Sequence, residues 1–435
     1  MPHNEIAQEN TDVFTAQDKM TSGNKKIAAA ASIGTVLEIY DWVLLAIFAV
    51  PISRTFFPAT SDAAALLLTL ATVAVGVVVR PLGAIILGRI ADRVGRRQAL
   101  SFSLLLMGLG ILITAACPGY ATIGIAAPVL MVVGRLFQGL SAGGELGAAL
   151  TIMVESAPAN RRRFLASLLP ASQSCGTLLA GLVGVGLTYF FTETEVMDGA
   201  WRLAFILGLL IVPVGYYLRR QMANEPNIQN TLKVVHESGL KQALRYKNAI
   251  IYGVFIVLFW TVATYASNYF AIYATRQLGL PLRAGYLGQV VVGLVGALGS
   301  PFVGLLAERV GIRRLMMFGC IGTFVLAYPL LWYLNAHPSV ETLLFVQACQ
   351  MALMIFFAVG ASAELADLFP PEFRATGTSV SYTGAVTIFG GLSPMIITFL
   401  IDATGNNLAF ALYLALAALI STIAILLKGR YQASH

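Results

Sequence analysis

Charged and histidine residues are scarce in this sequence. Only 11% of its 435 residues are Asp, Glu, Lys or Arg, whereas soluble domains average about 25%. So low a charge content argues against a large soluble protein. The four histidines, His3, His236, His337 and His435, all lie in polar tails or loops. We therefore expect no metal site built on buried histidines.

Signatures of an enzyme are also missing. The four cysteines, Cys117, Cys175, Cys320 and Cys349, have no paired spacing, so neither a disulfide framework nor a metal site is expected. No phosphate-binding Gly-x4-Gly-Lys-Ser/Thr motif occurs, which argues against ATP as the energy source. We therefore expect a protein that is not an enzyme and has no cofactor. The polar first 26 residues lack the short apolar region of a cleaved secretory signal.

Long apolar runs are what the sequence has instead. Hydrophobic residues make up 57% of it, and a helix needs about 20 of them to cross a bilayer. Backbone groups inside lipid must be bonded within the segment, so helices are expected. We predict an all-α membrane protein with twelve transmembrane helices in two six-helix bundles. The predicted spans are 28–50, 63–87, 100–117, 122–154, 165–191, 201–218, 249–275, 284–306, 315–336, 341–368, 376–401 and 407–427.

The longest polar break divides the chain into two halves. It predicts a cytoplasmic tail at 1–27, a first bundle at 28–218, a cytoplasmic linker at 219–248, a second bundle at 249–427 and a tail at 428–435. With this topology most of the 28 Lys and Arg fall on the cytoplasmic side, as the positive-inside rule requires. The net charge of +7 therefore needs no nucleic-acid partner. We expect a multi-pass monomer in the cell inner membrane, with both termini cytoplasmic.

A sequence repeat relates the two halves. Residues 88–97 read Gly-Arg-Ile-Ala-Asp-Arg-Val-Gly-Arg-Arg, and residues 304–314 read Gly-Leu-Leu-Ala-Glu-Arg-Val-Gly-Ile-Arg-Arg. Repeated halves are typical of secondary transporters, in which the substrate binds between the halves near mid-membrane. The repeat places Asp92, Arg93, Arg96, Glu308 and Arg309 at the predicted cytoplasmic helix ends. We expect them to form a latch that gates the path, although they could instead serve only to set topology.

The chain resembles the major facilitator superfamily in residues 88–97. Four further motifs are similar to those of the metabolite:proton symporters: Glu38-Ile-Tyr-Asp-Trp42, Arg80-Pro-Leu-Gly83, the segment from Arg135 to Glu145, and the segment from Glu364 to Gly377. That family moves citrate, 2-oxoglutarate, shikimate, proline or betaine with protons. Residues 388–394 and Phe57-Pro58 resemble the citrate and tricarballylate branch. The start of the sixth span departs from the family pattern, because Gly199-Ala-Trp201 continues without the usual proline.

Few acids lie within the predicted spans, and these are the candidates for proton coupling. Glu38 and Asp41 are three residues apart and lie roughly 18 and 22 Å into the first span. A desolvated carboxyl beside a like charge can exchange a proton near neutral pH. Glu145, in the fourth span, is the third candidate. The alternative is that an acid only neutralises a buried arginine and holds helices together.

Two arginines within the spans are the candidate substrate anchors. Arg80 and Arg135 could each bind a carboxylate with both arms of the guanidinium. Gln138 follows Arg135 by one turn, and Gln173, Tyr265 and Asn268 could donate hydrogen bonds from other spans. The alternative for each arginine is a permanent structural ion pair. For the other three side chains the alternative is simple packing.

These features predict a symporter that imports a small organic anion with protons and draws its energy from the proton gradient. The expected cargo is a di- or tricarboxylate such as citrate. Three alternatives remain open at this stage: symport of a zwitterion or neutral acid such as betaine, proline or shikimate, drug efflux by proton antiport, and ligand sensing without transport.

Overall fold

The structure is a computed structural model that describes residues 22–57, 61–94, 96–143, 145–155, 157, 161–210, 213–214, 244–370 and 373–428. Most of the predicted linker and both predicted tails lie outside these residues. The same holds for the side chains of Asp92, Arg93, Arg96 and Glu145. The residues that it does describe form helices, turns and bends, and no β-strand.

The first half contains six spans, several of them broken. The helices are Ser22–Ile47 with Ala49–Phe56, Asp62–Val78 with Arg80–Arg93, Arg96–Ala116, Ala126–Ser141 with Glu145–Glu155, Arg162–Ala166 with Leu168–Phe190, and Arg202–Gly208. The first span bends by 64° between Ile47 and Ala49. A capping box of Thr192 and Glu195 begins the connection from the fifth span to the sixth.

The second half is more regular. Its spans are Lys247–Arg276, Leu282–Val310, Ile312–Ala336, Val340–Asp367, Arg374–Ala385 continued by Ser393–Thr404, and Ala409–Leu426. A π-helical turn, Val386–Gly390, interrupts the eleventh span. Ser339 begins the tenth span by accepting a hydrogen bond from the backbone N–H of Thr342. Among the described residues, eight helices are long and apolar enough to cross a membrane, and the bent first span makes nine.

The three other spans are shorter within the described residues, or continue beyond them. With them the chain has the twelve-helix, two-bundle architecture of the major facilitator fold, and the predicted fold class is confirmed.

The two halves pack directly against each other. The fifth span lies along the eighth so closely that a Cβ on Gly293 would collide with the backbone of Leu178. The second span meets the eleventh, where the Thr387 hydroxyl donates to the carbonyl of Val77 at 3.2 Å. We call the end of the molecule that carries Arg163, Arg309 and Arg374 the basic end. The other is the opposite end. A cavity lies between the halves.

Candidate functional site

The cavity between the two halves, which we call the central cavity, comprises about 1110 Å³ of empty space, counting the part that is open to solvent. Both halves contribute to its wall, which is mostly apolar. Its polar and aromatic lining residues are Trp42, Arg80, Gln173, Ser174, Thr177, Trp260, Thr261, Thr264, Tyr265, Ser267, Asn268, Tyr269, Ser300 and Tyr382. A mostly apolar cavity with a few polar groups is typical of small-molecule sites.

Arg80 carries the one charge among the described residues that line this cavity. It begins the second helix of the second span, just after the break at Val79. Its guanidinium carbon lies 4.1 Å from the centroid of the Trp42 ring, and only 5% of the residue is exposed. Its Nε finds no hydrogen-bond acceptor within the part of the chain that is described. Stacking on an aromatic ring holds the guanidinium in place but leaves its hydrogen-bonding edge for a ligand.

Asp41, Arg135 and Gln138 form a buried cluster behind this cavity. The Gln138 side-chain amide donates to Oδ2 of Asp41 at 2.8 Å. Arg135 is fully buried, interacts electrostatically with Asp41, and donates from Nη2 to the Thr114 hydroxyl at 2.7 Å. Nη1 and Nε of Arg135 make no hydrogen bond to the described residues. The structure therefore brings three predicted site residues together, but outside the lining of the central cavity.

Glu38 is also buried, at 2% exposure, but its surroundings differ from those of Asp41. Its carboxylate interacts electrostatically with Tyr265 and Tyr382, and Arg80 interacts with the same two tyrosines. The first span thus presents one acid towards the Arg80 side of the site and the other towards Arg135. Two acids and two arginines give the buried site a balanced formal charge when all four are ionised.

The other predicted polar residues line the central cavity. The Gln173 amide donates to the Tyr382 hydroxyl at 3.1 Å, which joins the fifth span to the eleventh across the two halves. Tyr265 and Asn268 line the cavity from the seventh span. Sequence reasoning did not single out Thr261 and Thr264, which lie on the same face of that span. Thr261 lies four residues before Tyr265 and Thr264 four residues before Asn268, and this helical spacing is the signal that could have identified them.

Charged contacts join the halves at the basic end. Arg374 binds Glu155 at 3.1 Å, and the Glu308 carboxylate accepts from the backbone N–H groups of Arg163 and Phe164 at 3.2 and 3.3 Å. The guanidinium of Arg163 also lies 3.8 Å from Glu308. Of the predicted latch residues, Glu308 therefore lies at a contact between the halves, whereas Arg309 is exposed.

The connection between the fifth and sixth spans carries an exposed acid, Glu195, at the opposite end. Hydrogen bonds from the backbone N–H and hydroxyl of Thr192 lower the pKa of Glu195. Within the described ranges, no three His, Cys, Asp or Glu side chains come together in a group that could hold a metal ion.

Comparison with known proteins agrees with this architecture. The family model described as "Sugar (and other) transporter" matches residues 27–428. The chain is 33% identical to the citrate-proton symporter of Salmonella typhi over 89% of each chain. It is 32% identical to the alpha-ketoglutarate permease of Escherichia coli K12 over 96% of this chain and 97% of that one. A putative proline/betaine transporter of Staphylococcus aureus is 29% identical over 92% of this chain and 87% of the other.

A solved structure has the same fold. The xylose transporter XylE from E. coli, in a partially occluded inward-open conformation, superposes with a TM-score of 0.73 at 17% identity and covers 95% of this chain and 98% of its own. The family match over most of the chain and the relatives above 30% identity confirm the resemblance that the sequence motifs indicated. The chain belongs to the sugar (and other) transporter family of the major facilitator superfamily.

Proposed function

We propose that this protein is a proton-coupled symporter that imports a small organic anion, with a di- or tricarboxylate such as citrate as its preferred cargo. The observation that carries the proposal is Arg80, a buried cation on the wall of an otherwise uncharged, mostly apolar cavity. An unscreened guanidinium in such surroundings attracts a carboxylate strongly. The names of the relatives from Salmonella and E. coli support an organic anion as the cargo.

The balance of buried charge suggests how protons couple to the anion. With Glu38, Asp41, Arg80 and Arg135 all ionised, the site is neutral. Each proton taken up by an acid leaves one positive charge without a partner, and a cargo carboxylate would compensate it. Binding of the anion and of the protons therefore favour each other, which is the thermodynamic requirement for symport. In this scheme Arg80 holds a carboxylate, while Gln173, Tyr265 and Asn268 donate hydrogen bonds and Asp41 is the first candidate for the proton.

The remaining parts of the proposal concern the membrane. The basic end faces the cytoplasm, as the positive-inside rule predicts, and the protein works as a monomer in the cell inner membrane with both termini inside. Rocking of the two halves about the central cavity would expose Arg80 to each side in turn.

The experiment is uptake of labelled citrate by proteoliposomes under an imposed proton gradient. Wild-type protein should accumulate citrate, and a protonophore should abolish the accumulation. Arg80→Gln should lower the initial rate on the order of 10-fold or more, because it removes a buried charge-assisted contact worth about 1.5–3 kcal/mol. The matched control is Arg202→Gln: Arg202 also lies over a tryptophan, with its guanidinium 4.8 Å from the Trp201 ring, but outside the cavity lining.

Equal effects of Arg80→Gln and Arg202→Gln would contradict the role of Arg80. Citrate uptake that the protonophore leaves unchanged would contradict proton coupling. Absence of uptake for citrate, 2-oxoglutarate and tricarballylate would remove the organic-anion assignment.

A second candidate cargo is a quaternary ammonium zwitterion such as glycine betaine. The aromatic side chains of Trp260, Tyr265 and Tyr382 on the cavity wall favour it, because such rings bind quaternary ammonium groups. Labelled glycine betaine in the same vesicles distinguishes the two cargoes. Betaine uptake that excess citrate leaves unchanged would select the zwitterion.

A further inference from the structure

A second, polar cavity lies between the halves at the opposite end of the molecule. This end cavity encloses about 970 Å³ of empty space, part of it open to solvent. The residues that matter here are Val50, Arg54 and Glu193 from the first half and Thr275, Arg276 and Leu282 from the second. The wall carries two arginines, Arg54 and Arg276, and two acids, Asp62 and Glu193, whereas the central cavity has a single charge. Arg54 lies 3.9 Å from Asp62, so Arg276 is the cation of the wall without a paired acid among the described residues.

The two cavities follow one another along the same spans. On the second and seventh spans, lining positions of the end cavity lie four residues, about 6 Å along the helix, beyond those of the central cavity. On the first span the four residues cross the 64° bend between Ile47 and Ala49. The pairs are Ala46 and Val50, Leu70 and Leu66, and Ile272 and Arg276. A solute that enters from the opposite end would therefore meet the end cavity first.

On the second-half side, the wall of the end cavity includes Arg276 and Leu282, which begins a helix. The backbone N–H of Leu282, the first residue of the helix Leu282–Val310, donates to Oε1 of Glu193 at 3.1 Å. One turn further on, the Tyr286 hydroxyl is within electrostatic range of the same carboxylate. Tyr286 is 1% exposed, and its hydroxyl makes no hydrogen bond to the described residues. Nη1 of Arg276 is likewise buried without an acceptor in the described part of the chain.

Glu193 satisfies only the first of these donors, the backbone N–H of Leu282. The Tyr286 hydroxyl and Nη1 of Arg276 make no hydrogen bond to the described residues. A buried donor without an acceptor costs about 1–3 kcal/mol, whereas a carboxylate offers about four lone-pair sites. The N-terminus of a helix and a nearby guanidinium both favour a negative charge. This side of the end cavity is therefore suited to a carboxylate. A small carboxylate ligand could reach more of these donors than the Glu193 side chain can, because Glu193 is attached to the first half.

We propose that the end cavity is a second binding site for organic carboxylates and that Glu193 occupies it in this conformation as a tethered competitor. The proposal rests on the proposed function, because the ligand is the class of anion that the protein would carry. Glu193 belongs to the first half, and the hydrogen bond that it accepts from the Leu282 N–H joins that half to the second. A free carboxylate that displaces Glu193 breaks this tie, so arrival of cargo favours opening at this end.

The test measures access to the end cavity without any transport. Val50→Cys places a thiol on its wall in purified, detergent-solubilised protein, and the parent chain reports the background of the four native cysteines. The thiol is reacted with an anionic reagent, 2-sulfonatoethyl methanethiosulfonate, and with a cationic one, 2-(trimethylammonium)ethyl methanethiosulfonate. The ratio of the two rates reports the local potential.

Adding Glu193→Gln should raise the anionic-to-cationic ratio about 3- to 10-fold, and adding Arg276→Gln should lower it by a similar factor. Glu195→Gln, two residues from Glu193 and exposed, should leave the ratio within about twofold. Citrate should protect the thiol from the anionic reagent, relative to chloride at equal ionic strength. The citrate concentration that gives half-maximal protection should be several-fold lower in the Glu193→Gln variant, because the Glu193 carboxylate no longer competes with citrate.

Protection that is absent, or equal with and without Glu193→Gln, would overturn the proposal. The result is independent of uptake. If citrate is transported but does not protect the thiol of Val50→Cys, only the proposed binding site in the end cavity is contradicted. If citrate protects that thiol but is not transported, only the proposed symport of citrate is contradicted.

Discussion

At the residue scale, each buried charge of the site has a specific neighbour. Asp41 accepts a hydrogen bond from Gln138, and Arg135 donates to Thr114. A charge in the interior of a membrane protein is costly unless it is paired or hydrogen-bonded, so such groups are kept where they have a task. The Asp41 carboxylate also has one oxygen, Oδ1, with no hydrogen-bond donor among the described residues. In the proposed scheme, that oxygen would take up the coupled proton.

The first residue-scale prediction is that Asp41→Asn uncouples citrate from protons. The asparagine keeps the shape but cannot gain or lose a proton, so gradient-driven accumulation should fall about 5- to 150-fold, the range of a coupling energy of about 1–3 kcal/mol. Exchange of internal for external citrate should persist, since it needs no net proton movement. Glu195→Gln, at an exposed acid of the opposite end that lines neither cavity, is the control. An asparagine variant that still accumulates citrate would assign the proton elsewhere.

Much of the site could be predicted from sequence at this scale. Scarcity of charge was enough to single out Glu38, Asp41, Arg80 and Arg135, because a lone charge in an apolar run is visible without a structure. The direction in which each side chain points was not visible. That Arg80 faces the cavity while Arg135 lies behind it depends on the rotation and break of helices. The partner of Glu193 depends on how the two halves meet.

At the element scale, close packing of the second and fourth spans positions Arg80 and Arg135. Gly139 in the fourth span faces Gly76 in the second, and a Cβ on Gly139 would collide with the carbonyl oxygen of Gly76. Gly139, Gly143 and Gly147 recur at intervals of four residues, a spacing that favours close packing of helices. Sequence could not identify Gly76 as the partner, since the contact pairs residues that are distant along the chain.

A prediction at this scale is that Gly139→Ala destabilises the protein. The added methyl group forces the second and fourth spans apart, and overpacking of this kind typically costs about 1–3 kcal/mol. Thermal unfolding in detergent should show a lower midpoint. Gly186→Ala is the matched control, because a Cβ there meets no atom within 4 Å and alanine favours a helix. Its midpoint should be unchanged or higher, and equal losses for both variants would contradict the packing argument.

Breaks within spans are the part of the fold that the apolar pattern missed. The 64° bend at Phe48 and the π-helical turn Val386–Gly390 both lie inside windows that read as continuous apolar helices. Hydropathy records whether a segment can lie in lipid, but not where its hydrogen bonding changes. Phe48 packs on Tyr286 of the second half, with ring centroids 5.1 Å apart. The bend therefore contributes to a contact between the halves near the end cavity.

At the scale of the whole molecule, carboxylates hold the two halves together at both ends. Glu155 and Glu308 do so at the basic end, and Glu193 does so at the opposite end. In each case an acid on one half binds a cation or backbone N–H groups of the other. Alternating access requires that one set breaks while the other persists. The repeated acid predicted the position of Glu308, but not that its partners would be backbone N–H groups of the fifth span.

The final prediction concerns the balance between these two sets. Glu155→Gln weakens the bond to Arg374, whose side chain is 12% exposed, and the basic end should then open more often. A loss of about 1.4 kcal/mol would raise the open-to-closed ratio about tenfold. Spin labels at Arg161→Cys and Arg309→Cys, both exposed on opposite halves of that end, would record this as a longer-distance population. The charge exchange Glu155→Arg with Arg374→Glu should restore the short distance.

Arg54→Gln is the control for this experiment, because it removes an exposed ion pair with Asp62 that lies within the first half. It should leave the distance distribution at the basic end unchanged, since surface pairs contribute about 0–1 kcal/mol and this one does not join the halves. If Glu155→Gln and Arg54→Gln give the same distribution, the Glu155–Arg374 bond does not hold the basic end closed. The closed state would then depend on helix packing, as between the fifth and eighth spans, and cargo would have to act on that packing.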